Sequence, residues 1–306
     1  MKVLVATEKP FAKAAVDGIK AIVEKNGHEL ALLEKYTDAS QLLAAVADAD
    51  ALIVRSDKVT AEVVEAAKNL KIVVRAGAGF DNLDLAACTA HKVVAMNTPG
   101  QNSNAVAELA LGLMIYMNRN QFTPGTGAEL QGKTIGIQAY GNVGRLVGQK
   151  AMALGMNVLA FDPYLTADKI EATGAKVAAS LEDLYAKSDF VSLHIPATPE
   201  TKGSIGRNLV SRMPKGACLI NTARKEVINE EELMAVLTER EDLRYVADVA
   251  PEKAAEFAEK FGKRYFGTPK KMGAETAEAN INAGLAAANQ ICDFFATGNT
   301  RFQLNK

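Results

Sequence analysis

The sequence predicts an α/β protein of two doubly wound parallel-sheet domains, and three observations carry that expectation. From the first residue, short β-branched runs alternate with longer stretches of helical apolar spacing. A second alternating series begins at TIGIQA, residue 134. Between its first strand and the helix that follows stands a glycine-rich turn, GIQAYGNVGRLVG, residues 136–148.

Taken in order, KVLVA, DALIVR, KIVVRA and KVVAM read as buried strands, and PFAKAAVDGIKAIVEK and TAEVVEAAKNL carry apolar residues at helical spacing. Repeated βα units around a parallel sheet account for this first hundred residues. His28 and His91 each precede a strand and read as surface residues. The turn NTPGQNSN (97–104) interrupts the pattern; a long apolar helix follows, and NQFTPGTGAELQGK reads as a surface connection from its Gly, Pro and Thr. The second series supplies TIGIQA, NVLAFD, AKVAA, DFVSLHI, GACLINTA and RYVADV. Six strands with intervening helices are what a doubly wound dinucleotide fold requires. A helix, AEANINAGLAAANQICDFFATG, closes the chain. It is expected to return to the first domain, because little sequence remains to build anything else.

Composition narrows the function classes. At 306 residues, 48% hydrophobic and 23% charged, the chain has the profile of a soluble globular protein with two substantial cores. With 35 basic and 36 acidic residues the formal net charge is -1, so no global field draws nucleic acid or an acidic membrane, and any anion site must be local. Cys88, Cys218 and Cys292 lie far apart without C-x-x-C spacing, which argues against a disulfide framework or a thiolate metal site and fits a reducing cytoplasm. No metal is expected. The apolar run of MKVLVATEKP is cut off by Thr7 and Glu8, too short for a signal peptide, and AVAELALGLMIYM (105–117) contains Glu108 and falls short of a bilayer span.

In the glycine-rich turn, Ala139, Gly141 and Gly144 occupy the G-x-G-x-x-G positions, with Ala replacing the first glycine. The middle glycine lets the backbone approach a pyrophosphate, and the helix N-terminus supplies amide donors. Asp162 ends the next strand, near the spacing of about 20 residues expected for a carboxylate that holds adenosine ribose hydroxyls. A carboxylate there repels a 2′-phosphate and so favours NAD over NADP; its alternative is a strand-end cap beside Pro163. Arg224, just past the strand in INTARKEVINEEEL, suits bidentate grip of a carboxylate and polarisation of a carbonyl, against the alternative of a surface arginine. RAGAGFDN (75–82) packs two glycines into a turn whose amides suit an anion, and Arg55 and Ser56 in VRSDK suit a phosphate or a second carboxylate. Each could equally be turn chemistry on a solvated edge. With RSDK, RAGAGFDN and Arg224 all at strand ends, convergence on a cleft is expected. His194 ends DFVSLHIP; it is either a base or a histidine packed beside the cofactor or bonded to backbone, and the second is preferred.

Together, VRAGAGFDNLD, NTPGQNSNAVAELALGLM, the glycine-rich turn with Asp162, LHIP and MPKGACLINTAR resemble the D-isomer-specific 2-hydroxyacid dehydrogenases over essentially the whole chain. The nearest likeness is to the short-form branch that acts on D-3-phosphoglycerate. The resemblance implies a Rossmann NAD-binding domain (99–279) inserted in a flavodoxin-like substrate domain (1–98 plus 280–306), hinges near 97–104 and 275–285, and a homodimer formed through the nucleotide domain. By that resemblance Arg224 binds the substrate carboxylate and carbonyl, with the amides around Ala76 and Gly77 as the carboxylate loop. Arg55, Ser56 and Asn102 take the distal phosphate. Asn142, Val143 and Asp162 contact pyrophosphate and ribose, while Thr222 and Ala223 form a further cofactor turn. Asp248 contacts the nicotinamide carboxamide, and His194, Pro196 and Gly273 stand on the cofactor side.

Two departures from the family pattern matter. Members commonly carry a glutamate in D-V-F-x-x-E-P that holds a histidine in T-P-H-x-G as base. Here ADVAPEKAAE puts Lys253 at the glutamate register, with Glu252 one residue earlier as a candidate assistant. TPKKMGAET matches the histidine segment only with one inserted residue; counting back from Gly273 puts Lys271 at the histidine, with Lys270 as the other candidate. A lysine of ordinary pKa, about 10.4, is a poor base at neutral pH, but burial or neighbouring positive charge from Lys270, Lys271 and Arg224 would lower it. A glutamate partner would push the other way, so its displacement is consistent with a lysine base.

The expected reaction is NAD-dependent oxidation of D-3-phosphoglycerate to 3-phosphohydroxypyruvate, the first step of serine biosynthesis. Arg224 and the Ala76–Gly77 amides hold the carboxylate, NAD takes the C2 hydride, Lys271 takes the hydroxyl proton, and domain closure excludes water. The chain stops soon after its returning helix, so feedback through the serine-binding C-terminal domain of longer relatives is not expected. Two rivals stand beside this: a reductase of glyoxylate, hydroxypyruvate or another small 2-keto acid, and an NAD-sensing interaction protein like the related corepressors. Arg55 and Ser56 favour a phosphorylated substrate over the first, and Arg224 with the substrate loop argues against the second.

Overall fold

The apolar runs of the first hundred residues become five strands: β1 (Lys2–Thr7), β2 (Glu29–Glu34), β3 (Ala51–Val54), β4 (Ile72–Arg75) and β5 (Val94–Asn97). The computed structural model describes residues 1–305 and divides into two compact units, Met1–Asn102 with Glu275–Lys306, and Ser103–Ala274. In the first unit all strands are parallel, in the order β2-β1-β3-β4-β5, the flavodoxin-like winding. β3 is buried along its whole length because helices cover both faces. On one face lie α2 (Ala39–Val46), α3 (Ala61–Ala66) and α4 (Leu85–Ala90), which bring Leu42, Val46, Val63, Val64 and Cys88 against Leu52 and Val54. On the other lies α1 (Lys13–Lys25), with Ala15, Ile19 and Val23 against Ile53 and Val74. β2 is an edge strand with an exposed glutamate at each end, which discourages further strand pairing.

The second unit opens with α5 (Ser103–Asn118) and continues as β6 (Thr134–Gln138), α6 (Asn142–Ala153), β7 (Asn157–Phe161), α7 (Ala167–Glu171) and β8 (Lys176–Val177). It goes on through α8 (Leu181–Ala186), β9 (Phe190–Leu193), α9 (Arg207–Val210) and β10 (Cys218–Asn221). α10 (Glu230–Glu239), β11 (Arg244–Ala247), α11 (Ala254–Phe261) and β12 (Tyr265–Gly267) complete it. The seven parallel strands run β12-β11-β10-β9-β6-β7-β8. The order reverses between β6 and β9, which makes their carboxyl ends the switch point where ligands bind in open α/β sheets. Two details differ from expectation. AKVAA pairs over only two residues, because β8 is an edge that meets just Leu159 and Ala160. β12 adds a seventh strand to the six predicted.

The last helix, α12 (Ala277–Thr297), belongs to the first unit and packs on α1. Small residues permit the close approach: a Cβ on Gly284 would lie 3.0 Å from Ile19, and one on Gly18 would lie 2.5 Å from Leu285. Thr276 caps the start of α12 by accepting from the Ala279 N–H at 3.1 Å, and Gly298 ends it in the left-handed conformation.

Candidate active site

The site in the second unit begins where β6 stops. Ala139 sits at φ +71, in the left-handed region that disfavours side chains, and its N–H donates to the Phe161 carbonyl at 2.9 Å, joining the turn to the end of β7. A Cβ on Gly144 would stand 2.3 Å from the Ala139 carbonyl oxygen, so only glycine lets α6 meet this turn. A Cβ on Gly141 would meet nothing within 4 Å. The two glycines therefore serve different ends: Gly144 closes the turn, and Gly141 keeps space above it. α6 starts just after Gly141 with no side-chain cap and no acidic residue in its first turn, which holds the exposed Asn142 and the half-buried Val143. Amide donors and the positive end of the helix dipole are thus available to an anion.

Asp162 ties two loops together. One carboxylate oxygen accepts from the Tyr140 N–H and the other from the Tyr164 N–H, each at 2.8 Å. Each oxygen has a second lone pair with which to accept a ribose hydroxyl.

At the end of β9, the His194 N–H continues the ladder to Gln138 at 3.0 Å, and its ring Nε2 lies 2.9 Å from the Ser192 hydroxyl. Burial pushes the imidazole down to about 3, so it stays neutral and is a poor proton acceptor near neutral pH. Pro196 is exposed, and its carbonyl accepts from Thr201 at 2.6 Å, which shapes the LHIP turn. At the end of β10 the Asn221 side chain brackets the next turn, accepting from the Ala223 N–H at 3.0 Å and donating to the Arg224 carbonyl at 2.9 Å. Arg224 is half-buried and folds one N–H onto the Ala223 carbonyl. Thr222, 5% exposed, has a buried hydroxyl oxygen without a hydrogen-bond partner. A buried hydroxyl is costly to leave unsatisfied. The space above Gly141, the uncapped start of α6 and the orphaned Thr222 hydroxyl together fit a bound dinucleotide.

The TPKKMGAET segment shows what sequence spacing missed. Asp248, at the end of β11, is fully buried, and both of its carboxylate oxygens are engaged within the unit. One accepts from Thr268 Oγ1 at 3.1 Å and the Met272 N–H at 2.8 Å; the other accepts from the Gly273 N–H at 2.8 Å. The carboxylate expected to meet the nicotinamide carboxamide is held here by its own loop. Gly273 is needed there, since a Cβ would lie 2.9 Å from the Asp248 carboxylate. Lys270 and Lys271 both project exposed from the same loop. Glu252 is exposed and pairs with Lys225 at 3.1 Å, and Lys253 pairs with Glu231. Glu252, expected as a candidate assistant to the base, is thus held by the lysine after Arg224.

In the first unit the carboxyl ends of β3 and β4 carry Arg55 and Arg75. Arg55 is bound by its own unit: Nη1 donates to the Lys9 and Pro10 carbonyls at 3.2 and 3.3 Å, Nη2 donates to Asn280 at 2.6 Å, and the guanidinium lies 5.2 Å from the Phe11 ring centroid. Ser56 is exposed, and Asn102 is the half-buried last residue before α5. The expectation that the Ala76 and Gly77 amides hold a carboxylate is corrected. The Ala76 N–H donates to the Val54 carbonyl at 2.8 Å and the Gly77 N–H to the Thr98 hydroxyl at 2.6 Å. Arg75 is what the sequence reading missed. Its guanidinium lies across Gly77, where a Cβ would meet Nη1 at 1.6 Å, while Nε donates to the Arg55 carbonyl at 3.0 Å. The signal was the first letter of RAGAGFDN: an arginine before two glycines.

Known proteins resemble the chain over its full length. Residues 111–267 match the family model of the D-isomer specific 2-hydroxyacid dehydrogenase, NAD binding domain. The D-3-phosphoglycerate dehydrogenase of Methanocaldococcus jannaschii is 37% identical over 291 residues, covering 90% of this chain and 55% of the relative. The hydroxypyruvate reductase of Thermotoga maritima is 38% identical over 222 residues, covering 68% of this chain and 71% of the relative. The chain spans about half the length of the D-3-phosphoglycerate dehydrogenases it matches from Methanocaldococcus jannaschii and Mycobacterium tuberculosis. Among solved structures, the NAD+-bound 3-phosphoglycerate dehydrogenase of Entamoeba histolytica superposes with a TM-score of 0.88 at 49% identity, covering 100% of this chain and 99% of that one. No helix among the described residues is long and apolar enough to cross a membrane. The chain belongs to the D-isomer specific 2-hydroxyacid dehydrogenase family, and the unit Ser103–Ala274 carries the family's NAD-binding domain.

Proposed function

We propose that the chain oxidises D-3-phosphoglycerate to 3-phosphohydroxypyruvate with NAD, the step that leads toward serine. The observation that carries this reading is Arg224, a half-buried guanidinium at the end of β10 beside the orphaned Thr222 hydroxyl of the cofactor turn. A cation there suits a 2-hydroxy acid, because a guanidinium grips a carboxylate in two places and polarises the C2 oxygen. Likeness to the 3-phosphoglycerate dehydrogenase of Entamoeba histolytica at 49% identity supports the choice of substrate.

NAD, when bound, supplies the acceptor for the C2 hydride. The chain's own residues do the rest. Asn142, Val143 and Gly144 offer amides to the pyrophosphate, and Asp162 accepts from the ribose and repels a 2′-phosphate. Arg224 orients the carboxylate. Lys271, with Lys270 in reserve, takes the hydroxyl proton during oxidation and returns it in reduction. Ser56, Asn102 and the remaining N–H donors of Arg55 are assigned to the distal phosphate, with the first unit as the substrate domain. A cytoplasmic homodimer completes the reading, for which light scattering of the purified protein is the check.

The test is turnover with NAD(H) and NADP(H) across a panel of phosphorylated and unphosphorylated 2-hydroxy and 2-keto acids. The expected result is the highest kcat/KM for 3-phosphohydroxypyruvate with NADH. Equal turnover of glyoxylate would defeat the phosphate assignment, equal use of NADPH would defeat the role of Asp162, and turnover of nothing would defeat the enzyme reading.

A further inference from the structure

We infer that Asp248 is a positioning residue, a buried clamp that sets the loop carrying Lys270 and Lys271. The inference rests on the proposed function in one respect only: it takes that loop to carry the proton acceptor.

The geometry is specific. Asp248 is 0% exposed, and its acceptors meet the loop on both sides of the two lysines. Before them, Thr268 is buried; its single hydroxyl proton is shared among acceptors that include the Asp248 carbonyl and, at 3.1 Å, the carboxylate, while its N–H donates to the Ala247 carbonyl at 2.9 Å. After them, the N–H groups of Met272 and Gly273 each reach a different carboxylate oxygen at 2.8 Å. Across the loop, Thr268 Oγ1 also lies 2.9 Å from the Lys270 carbonyl. One residue therefore meets both stems of a short bulge, the first through its carbonyl and carboxylate and the second through its carboxylate alone, and the two lysines stand at its tip.

Hydrogen bonds to a charged acceptor are worth more than neutral ones, and a buried carboxylate is tolerated only where donors surround it. The donors here are backbone amides whose positions are those of the loop itself. The carboxylate and the loop conformation thus require each other. The bare Cα of Gly273 belongs to the same device, because a Cβ there would press on the Asp248 carboxylate at 2.9 Å and on Val106 at 3.3 Å.

The test uses Asp248→Asn, whose amide presents a donor to one of the two N–H groups, and Gly273→Ala, which disturbs the clamp from the loop side with the carboxylate intact. Amide hydrogen exchange at Met272 and Gly273 is measured in the full chain, together with kcat, KM and the dissociation constant for NAD. Exchange at both amides should accelerate by about 10- to 100-fold, the change expected when a hydrogen bond to a charged acceptor is lost. Turnover should fall by a similar factor through misplacement of the acceptor, about 100-fold for a shift near 1 Å, while NAD binding changes less than about threefold. Unchanged exchange with weakened NAD binding would overturn the clamp and leave a direct cofactor contact as the role of Asp248. Accelerated exchange without any loss in kcat would overturn the link to catalysis. Because exchange is read without turnover, full activity of Lys270→Ala and Lys271→Ala would overturn the proton-acceptor assignment and not the clamp.

Discussion

The carboxyl edges of the two sheets are built from similar letters and finished differently. In the first unit most of the edge closes on itself, although the buried Thr7 hydroxyl at the end of β1 has no hydrogen-bond partner among the described residues. Asp57, 5% exposed, accepts from the Glu8 N–H at 2.7 Å, the Tyr36 hydroxyl at 2.9 Å and the Arg55 N–H at 3.2 Å, so one carboxylate gathers the ends of β1, β2 and β3. Arg55 is bound on three acceptors and the Gly77 N–H on Thr98. In the second unit the edge is left open, with no side chain capping α6, open space over Gly141 and no partner for the Thr222 hydroxyl. Polar groups that satisfy one another shape a scaffold. An uncapped helix start with open space above it marks the place where a ligand completes the structure.

The largest effect expected is on the open unit. Lys271→Ala should lower kcat for oxidation by about 10²–10⁴-fold, the range for a lost acid–base group, with NAD affinity nearly intact. Lys270→Ala should do much less, as should His194→Ala, whose ring is already neutral. Near-parental turnover in both lysine variants, with loss in His194→Ala, would reverse the assignment.

Arg224→Lys removes the bidentate fork while keeping the charge and should cost about 2–4 kcal/mol of transition-state stabilisation, read as kcat/KM. A cost below about 0.5 kcal/mol would mean that Arg224 acts only as a surface charge.

The two glycines sharpen the comparison. Gly141→Ala should leave thermal stability within about 1 kcal/mol of the parent, since its methyl meets nothing, yet weaken NAD by about 10- to 100-fold by taking pyrophosphate space. Gly144→Ala should instead destabilise the fold, because its methyl meets the Ala139 carbonyl. Calorimetry of both variants with and without NAD separates closure from vacancy; equal behaviour would erase the distinction.

The smallest effect is a pH dependence. His194 is held near 3 by burial, below its ordinary 6.5, so the unfolded chain takes up this proton first as pH falls. Its contribution is fully present above about pH 6.5 and is lost progressively toward pH 3. His194→Gln should therefore flatten the fall in Tm between pH 7 and pH 5 relative to the parent. Parallel curves would show that the imidazole is not desolvated.

Much of this fold was legible. β-branched runs such as KVLVA and DFVSLHI need no tertiary context to read as strands, and a glycine-rich turn between a strand and a helix announces a phosphate edge. β12 escaped notice because three residues directly after a helix carry no period. Within the site, spacing singled out Gly141, Gly144 and Arg224, whose surroundings are close in sequence, and Asp162, which stands out only because the motif fixes its distance from the glycine-rich turn. It failed where the partner is distant. Thr98 claims the Gly77 amide from 21 residues away, and Asp248 holds Gly273 across 25. Those bonds depend on which strands lie side by side, which no local pattern encodes.

Ala139 has one more consequence. A methyl group at φ +71 makes this turn less forgiving than the glycine usually found there, for alanine samples far fewer conformations once the surrounding bonds have chosen one. The Phe161 carbonyl and the Asp162 carboxylate hold the turn in shape from the β7 side. The cofactor therefore meets a loop whose ordering entropy was settled during folding, and binding should carry a smaller entropic penalty here than in an Ala139→Gly variant, a difference isothermal titration can read.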